Sequence, residues 1–214
     1  MNQVVILGAG GLGRQVLAQL LVDPLYGSGF DIAGFIDERG PEAVAPELDY
    51  PWLGYPADIS LTSEYCVVVA VGDTRSRASQ VHLLANRQIR FMSLSTRCMV
   101  GARTRHGATV FGFDACTGVD VSIGNYGFID QDVLVGHDSI IGDCVHIAPR
   151  SVLAGHVRVG DRATINSGAM IARGVVIGAD ATVGIGSVVV TNVPDGATVF
   201  GNPARVIFKK DFSA

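Results

Sequence analysis

Aliphatic residues recur at every sixth position of this chain, without exception, from Ile123 to Val189. A strict short period over many turns is typical of a repeat architecture, and a period of six indicates a parallel β-helix. An amphipathic α-helix would instead repeat near 3.6 residues, and an ordinary strand at two. The twelve positions are Ile123, Ile129, Val135, Ile141, Ile147, Leu153, Val159, Ile165, Ile171, Ile177, Val183 and Val189. Three hexapeptides make one triangular coil, so these rungs predict four complete coils, each rising about 4.8 Å.

The ends of the coil are less regular than its middle. Residues 100–122 predict early, irregular rungs, with a break in register around residues 111–113. At the other end, residues 194–196 are expected to leave the coil, and residues 201–205 to form a turn before a short tail. The domain that contains the coil is therefore predicted to span residues 95–214.

Residues 1–94 lack the period and predict a separate α/β domain. Their apolar runs indicate the order β-α-β-β-α-β, with a proline-rich connection after the second strand. Strands are expected at residues 4–7, 32–36, 66–71 and 89–94, and helices at 12–21 and from 74 to about 87. This arrangement is half of a nucleotide-binding α/β fold.

Composition excludes several classes of protein. Charged residues make up 17% of the chain and the net charge is −4, so nothing indicates a nucleic-acid surface. No apolar run is long enough to cross a bilayer, and we see no secretory signal near the N-terminus. The four cysteines have no metal-type spacing, which favours small apolar fillers in a reducing cytoplasm.

A glycine-rich loop follows the first predicted strand. Gly8-Ala9-Gly10-Gly11-Leu12-Gly13 matches G-x-G-x-x-G between a strand and a helix, where backbone amides and the helix N-terminus favour phosphate. Asp37 ends the second strand, where an acidic residue can take ribose hydroxyls. The loop could bind NAD, bind the diphosphate of a nucleotide sugar, or merely make a tight turn. A full dinucleotide needs two mononucleotide halves, and this domain supplies one.

His137 is the histidine that the coil geometry singles out. It lies at the third position of its hexapeptide, where side chains point outward, and Asp138 is its neighbour. A carboxylate beside an imidazole favours the imidazolium that forms when the ring acts as a general base. Gly155 lies eighteen residues further on, one coil away on the same edge, where its backbone N–H could serve as an oxyanion donor. A metal site built from His137, His146 and His156 would lack a carboxylate or thiolate at ligand spacing, so no metal is expected.

Together these motifs resemble the sugar O-/N-acetyltransferases of bacterial surface-glycan synthesis, over essentially the whole chain. That family includes sialic acid O-acetyltransferases and N-acetyltransferases that act on nucleotide-linked 4-amino-4-deoxy sugars. The motifs are G-A-G-G-x-G at 8–13, F-I-D at 35–37, A-V-G-D at 70–73, V-G-H-D at 135–138, H-I-A-P at 146–149 and G-N-P-A-R at 201–205.

The resemblance implies a left-handed β-helix, an exception to right-handed crossovers, assembled as a homotrimer with active sites between subunits. It implies that His137 is the catalytic base, that Asp138 orients it, and that the Gly155 N–H contacts the thioester carbonyl. The residues that it assigns to acetyl-CoA are His146, Gly155, Ser167, Gly184, Ile185, Gly186, Gly201, Asn202 and Pro203. Those that it assigns to a nucleotide sugar are Gly10, Gly11, Leu12, Gly13, Asp37, Glu38, Gly72 and Asp73.

Two departures from the family pattern bear on the acceptor. Many relatives carry His inside the glycine loop where this chain has Leu12, and the acid beside the base is Asp138 rather than the commoner Glu. The resulting hypothesis is direct acetyl transfer from acetyl-CoA to a nucleotide-linked amino sugar in the cytoplasm. Three alternatives stay open: O-acetylation of sialic acid or a related free sugar, a non-enzymatic nucleotide-sugar scaffold, and a metal enzyme resembling γ-carbonic anhydrase.

Overall fold

The structure, a computed structural model, describes residues 1–87 and 89–209. These residues form two compact units, Met1–Thr96 and a second unit that begins at Arg97. The division lies two residues beyond the boundary at residue 94 that we place from sequence. The predicted tail beyond residue 209 lies outside the described residues. No helix among them is long and apolar enough to span a membrane.

The first unit contains a five-stranded parallel sheet with strand order β3-β2-β1-β4-β5. Consecutive residues of β1 and β4 are buried, as expected for strands covered on both faces. The strands are β1 (Asn2–Leu7), β2 (Phe30–Ile36), β3 (Trp52–Gly54), β4 (Tyr65–Val69) and β5 (Arg90–Phe91). The helices are α1 (Gly11–Leu21), α2 (Thr74–Ala85) and a 3₁₀ turn, Pro41–Ala43. The chain reverses its direction of growth across the sheet between β1 and β4, which makes their carboxyl ends the switch point where such sheets bind ligands.

Strand β3 is an element that sequence reasoning missed. It lies inside the proline-rich connection and pairs with the end of β2. Three residues are too few to show the alternation that identifies a strand. The predicted strands 66–71 and 89–94 are also shorter in the structure, ending at Val69 and Phe91.

The second unit is a left-handed parallel β-helix, which confirms the predicted fold class. Three sheets form its faces, and two-residue strands pair in register with strands one coil away. The first face contains β7 (Val110–Phe111), β10 (Phe128–Ile129), β13 (His146–Ile147), β16 (Thr164–Ile165), β19 (Thr182–Val183), β21 (Ala197–Gly201) and β22 (Ala204–Lys209). The second contains β8 (Cys116–Thr117), β11 (Leu134–Val135), β14 (Val152–Leu153), β17 (Met170–Ile171) and β20 (Val188–Val189). The third contains β6 (Arg105–His106), β9 (Ser122–Ile123), β12 (Ile140–Ile141), β15 (Arg158–Val159) and β18 (Val176–Ile177).

Turns between faces form three edges of the coil. We call residues 130–133, 148–151, 166–169 and 184–187 the groove edge, because they follow the first face. Residues 118–121, 136–139, 154–157 and 172–175, after the second face, are the histidine edge. Residues 124–127, 142–145, 160–163 and 178–181, after the third face, are the aspartate edge. Each turn contains one residue with positive φ, such as Asp138 at 58° and His156 at 61°.

The core of the coil consists of two stacked rows. The aliphatic residue of each rung points inward, and the residue four positions later is also buried, as at Ser139, Val145 and Ser151. Buried hydroxyls in the second row are satisfied: the Ser151 hydroxyl donates to the Asn166 carbonyl at 3.0 Å. Each buried aliphatic contributes roughly 1.5–3 kcal/mol relative to an exposed one, so stacking supplies most of this unit's stability.

The predicted ends of the coil were both wrong. Phe111 and Thr117 occupy inward positions in register with Ile129 and Val135, so the period continues through residues 111–113. The irregularity lies one rung earlier, where His106 pairs with Ile123 after 17 residues instead of 18. At the other end the coil also continues, because Val193 bridges Ile177 and β21 pairs with β19. An aliphatic-only rule missed the early rungs because an aromatic ring or a hydroxyl also fits the inward position. The last rungs were missed because the spacing shortens to four residues between Val189 and Val193.

Candidate active site

A cavity of ≈ 250 Å³ lies at the carboxyl ends of β1, β2 and β4 in the first unit. This is the switch point of the sheet, where the loops after neighbouring strands diverge. The cavity is lined by Gly8, Gly10, Gly11, Leu12, Asp37, Glu38, Arg39, Ala70, Val71, Gly72 and Gln80. Six of the predicted nucleotide-sugar residues are among them, namely Gly10, Gly11, Leu12, Asp37, Glu38 and Gly72.

Gly13 and Asp73, the other two predicted residues, do not line the cavity. A Cβ at Gly13 would lie 2.0 Å from the Gly8 carbonyl oxygen, so this glycine lets helix α1 pack against the loop. Asp73 is the N-cap of α2, and its carboxylate accepts a hydrogen bond from the Ser76 N–H at 2.7 Å. Both residues therefore shape the elements around the cavity.

Asp37 is engaged by the protein itself. Its carboxylate is buried and accepts hydrogen bonds from the Ala9 N–H at 2.7 Å and from the N–H, Nε and Nη2 of Arg39 at 2.7–2.9 Å. Burial alone would raise the pKa of Asp37, but the hydrogen bonds from Arg39 and Ala9 outweigh it and the pKa lies below its ordinary value. Four donors fill the acceptor sites of a carboxylate, so the ribose contact that we expected from sequence is not open here.

A second polar network includes two residues that line the cavity, Gln80 and Glu38. Gln80 is buried and donates from Nε2 to the Ser76 hydroxyl at 3.1 Å, and that hydroxyl donates to Glu38 at 3.2 Å. Arg77, fully buried on the same helix, donates from Nε to the Val71 carbonyl at 2.7 Å. The loops that border the cavity are thus held by side chains on α2.

On the histidine edge, His137 and Asp138 form the pair that the sequence predicts. The His137 Nδ1 and the Asp138 Oδ2 are 2.6 Å apart. With Nδ1–H donating to the carboxylate, Nε2 keeps a lone pair and can accept a proton. Asp138 adopts its positive φ in the turn, a conformation that aspartate tolerates better than most residues.

Gly155 lies one coil from His137 on the same edge, as the eighteen-residue spacing predicts. The His156 N–H donates to the His137 carbonyl at 2.8 Å, which fixes this stacking. A Cβ at position 155 would lie 2.6 Å from the His137 Nε2, so only glycine leaves room for the imidazole as placed. Gly155 is buried beneath the ring, and its N–H has no acceptor among the residues that the structure describes.

His156 joins this cluster, although sequence reasoning gave it no role beyond a possible metal site. Its ring meets that of His137 edge-on, with centroids 5.1 Å apart, and its Nε2 lies 3.8 Å from the Asp138 Oδ2. His137, Asp138 and His156 bring three ligand atoms within 4.8 Å of one another. The cluster thus contains a carboxylate, Asp138, which sequence reasoning against a metal site did not count. The contact between Asp138 and the His137 Nδ1 orients the ring as a base.

His146 does not belong to this cluster. It belongs to β13 on the first face, with its ring 5.6 Å from that of Phe128 and its Nε2 3.8 Å from the Asp130 Oδ2. The second active-site histidine implied by the family resemblance is therefore on another face from His137 within one subunit. A six-residue period assigns each residue to a face, but the number of chains that contribute to a site is decided by assembly.

The predicted acetyl-CoA residues of the late rungs gather along the groove edge. The Gly186 N–H donates to the Ser167 carbonyl at 2.9 Å, so Gly184, Ile185 and Gly186 stack one coil beyond Ser167. The Gly201 N–H donates to the Ser187 hydroxyl at 3.1 Å, and Asn202-Pro203 forms the turn between β21 and β22. Ser167 also lines a surface depression with Gln131, Asp132, Pro149, Arg150 and Gly168.

Comparison with known proteins agrees with both units. Residues 3–84 match the model of the PglD N-terminal domain. The structure of PerB from Caulobacter crescentus with CoA and GDP-perosamine is 30% identical, covers 97% of this chain and 98% of that one, and has a TM-score of 0.84. The chain belongs to the hexapeptide-repeat sugar acetyltransferases. Among curated protein sequences, none matches the chain.

Two further structures are similar over nearly the whole chain. A histidine-to-asparagine mutant of perosamine N-acetyltransferase from Caulobacter crescentus, in complex with CoA and GDP-perosamine, is 29% identical, covers 99% of this chain and 98% of that one, and has a TM-score of 0.84. The acetyltransferase domain of PglB from Neisseria gonorrhoeae, in complex with acetyl coenzyme A, is 28% identical, covers 97% and 100%, and has a TM-score of 0.88. These likenesses confirm the prediction of an acetyl-CoA-dependent sugar acetyltransferase.

For this acetyltransferase, sequence reasoning missed Arg39 and Gln80 at the cavity in the first unit. Arg39 stands two residues after Asp37, at the end of a strand next to the glycine loop, and that position was a usable signal. Gln80 gave no such signal, because only the packing of α2 brings it to the cavity.

Proposed function

We propose that this acetyltransferase transfers the acetyl group of acetyl-CoA to the amine of a nucleotide-linked amino sugar, of the 4-amino-4-deoxy type, for surface-glycan synthesis. The observation that carries the proposal is the placement of His137 Nε2 directly over Gly155, with Asp138 on the other ring nitrogen. An oriented base beside a backbone amide that lacks an acceptor is the pair of groups that acyl transfer needs.

His137 is proposed as the general base. Its Nε2 takes the proton that the acceptor amine loses as the amine attacks the thioester carbonyl, and Asp138 stabilises the imidazolium through the 2.6 Å contact at Nδ1. The same imidazolium can return a proton to the departing CoA thiolate. Proton transfer by a positioned side chain of this kind contributes roughly 10²–10⁴-fold to rate.

Gly155 is proposed as the oxyanion donor. Its N–H has no acceptor among the described residues and lies beside the base, so it can donate to the oxygen on which negative charge develops. The thiols offer no alternative acyl carrier at this site. None of the four cysteines belongs to the cluster, and burial raises the pKa of the Cys66 and Cys98 thiols. Direct transfer in a ternary complex therefore fits these residues better than a covalent intermediate.

The first unit is proposed to bind the nucleotide of the acceptor. Support comes from the cavity at the switch point, from the match of residues 3–84 to the PglD N-terminal domain, and from neighbours crystallised with GDP-perosamine. The glycine loop and the first turn of α1 present backbone amides, which favour an anionic diphosphate. A free sugar such as sialic acid has no diphosphate and would leave this cavity without a role.

A homotrimer is the proposed assembly. The outward residues of the second face are apolar, and Leu134, Val152 and Met170 among them are 46%, 37% and 55% exposed; on the third face Arg158 separates Ile140 from Val176. A continuous apolar stripe on a folded surface usually marks a contact with another protein, and closed symmetry is the rule for homo-oligomers. The four free thiols also fit the proposed cytoplasmic location.

Thiol release from acetyl-CoA tests the proposal. The purified protein is assayed with nucleotide-linked amino sugars, the corresponding hydroxyl sugars and free sialic acid, and products are treated with hydroxylamine, which cleaves esters but not amides. We expect release only with amino-sugar nucleotides and a hydroxylamine-resistant product. Release with sialic acid alone would favour O-acetylation, and absence of both acetyl-CoA binding and release would favour a scaffold.

A further inference from the structure

The cavity in the first unit carries more acidic than basic charge. Among its lining residues, Asp37 and Glu38 are acidic and Arg39 alone is basic. A nucleotide diphosphate carries at least two negative charges, and like charges within a few ångströms repel it. The amides of the glycine loop contribute only partial charges. A diphosphate therefore depends more on the Arg39 cation in this cavity than it would in a cavity that lacked Glu38.

Arg39 is held in one orientation. Its Nε and Nη2 donate to the two oxygens of Asp37 at 2.9 and 2.7 Å, and Asp37 is itself fixed by the Ala9 N–H. This fork-to-fork pair with a buried carboxylate restricts a side chain that would otherwise lose much rotamer freedom on binding a ligand. Because Ala9 belongs to the glycine loop, the same carboxylate positions both the loop and the guanidinium.

The guanidinium also has donors to spare above the loop. A Cβ at Gly10 would lie 3.4 Å from the Arg39 Nη2 and 4.0 Å from its Nη1, so the planar group lies over the backbone of that glycine. Nη1 donates to no residue that the structure describes, and the side chain is 59% exposed. Arginine carries five N–H donors in a planar fork that matches phosphate oxygens.

We propose that Arg39 is the cationic contact of the acceptor's diphosphate, and that Asp37 positions Arg39 instead of binding ribose. This inference rests on the proposed function, because it assumes that a nucleotide sugar occupies the cavity. It differs from the expectation drawn from sequence, in which Asp37 contacted the nucleotide directly. The competing interpretation is that Arg39 only neutralises Asp37 and touches no ligand.

Calorimetric titration of the full chain with GDP and UDP, with the matching nucleosides as a second series, tests the inference. We expect Arg39→Gln to raise the Kd of the preferred nucleoside diphosphate about 10- to 100-fold and to leave nucleoside binding unchanged. Arg39→Lys keeps the charge but loses the planar fork of donors, so its Kd for the diphosphate should lie between those of the wild type and Arg39→Gln. Arg90→Gln is the matched control, because Arg90 lies in the same unit, outside the cavity, and donates to Asn2.

The outcomes separate the inference from the proposed function. An unchanged diphosphate Kd in Arg39→Gln, or an equal loss for the nucleoside, would show that Arg39 does not contact the diphosphate, and the inference would be wrong. No binding of either diphosphate to the wild-type chain would instead overturn the nucleotide-sugar proposal. If Arg39→Gln lowers the melting temperature, two remaining measurements decide the question. These are the Kd of Arg39→Lys and the salt dependence of wild-type binding, which should weaken as ionic strength rises.

Discussion

The histidine edge and the aspartate edge have the same backbone conformation, but they differ in whether the backbone N–H groups of their turns have hydrogen-bond acceptors. On three of the four turns of the aspartate edge, the N–H of the second residue is capped by a carboxylate from the next coil; the exception is Asp161, because the next coil has Ala179 at that position. Asn125 donates to Asp143 at 2.7 Å, Asp143 to Asp161 at 2.9 Å and Ala179 to Asp195 at 2.9 Å. On the histidine edge the same positions hold His137 and Gly155, whose N–H groups have no acceptor among the described residues.

This difference assigns the two edges of one repeat to different roles: the aspartate edge stabilises the coil, and the histidine edge supplies the groups for catalysis. A regular coil places a backbone N–H at the same point of every turn, and the side chain one coil away decides whether that N–H is used. Aspartates close three of the four amides on one edge and stabilise the coil. On the other edge, Gly155 has no side chain that could cap the His137 N–H, and it leaves room for the imidazole. The Gly155 N–H stays open to a ligand because Arg173, one coil further on, does not cap it. The changes below are ordered by expected effect and test this division.

Replacing His137 with alanine should have the largest effect. We expect the turnover number to fall roughly 10²–10⁴-fold, because the general base is lost, while the melting temperature and acetyl-CoA affinity change little. Steady-state thiol release and thermal denaturation measure the two quantities. His106→Ala, a change of an exposed histidine on an early rung, is the control. Near-normal turnover in His137→Ala would remove this residue from the role.

Gly155→Ala tests whether catalysis requires the absence of a side chain at position 155. The new Cβ would lie 2.6 Å from the His137 Nε2, so the half-exposed imidazole must swing away. A base displaced by about 1 Å can cost roughly 10²-fold in turnover, with little loss of stability because the ring is free to move. Gly160→Ala is the matched control on the aspartate edge, where the Cβ would lie 2.5 Å from the Ala179 nitrogen. That variant should lose stability and keep its turnover; the reverse pattern would contradict the division.

Asp37→Asn extends the test to the first unit, where the Asp37 carboxylate accepts a hydrogen bond from the Ala9 N–H. Asp37 has a pKa below its ordinary value in the folded chain, so its contribution to stability is present above its unfolded pKa of about 3.9 and is lost as pH falls through the folded pKa. At pH 7 the asparagine variant should unfold with about 2 kcal/mol less free energy. The difference from wild type should vanish in acid, as measured by urea unfolding across pH. A difference that persists at low pH would mean that the carboxylate charge is not its source.

Asp161→Ala should have the smallest effect. It opens the Asp143 amide on the aspartate edge by removing one hydrogen bond of 2.9 Å. We expect a loss of about 0.5–1.5 kcal/mol in the free energy of unfolding and no change in turnover. Denaturant titration and the thiol-release assay measure both. A fall in turnover as large as that of Gly155→Ala would show that the edges are not independent.

The coil was highly predictable because its period is a local property. The inward aliphatic positions, the turns between them and the stacking of Gly155 under His137 all follow from counting six and eighteen residues. The failures have two causes. Phe111 and Thr117 keep the period without being aliphatic, and the count itself changes at the 17-residue first coil and between Val189 and Val193. His146 shows another limit, because it lies in strand β13 on the first face and does not belong to the His137 cluster.

The sequence by itself determined a β-helix with a histidine, a carboxylate and a glycine on one edge, and a glycine loop after a buried strand. Those features depend on spacing along the chain. Only the tertiary structure decided that Asp37 is already engaged by Ala9 and Arg39, that Gln80 reaches the cavity, and that the Gly155 amide keeps no partner among the described residues. The physical reason is that hydrogen-bond partners 28 residues apart, such as Ala9 and Asp37, are chosen by packing, and no period in the sequence encodes that choice.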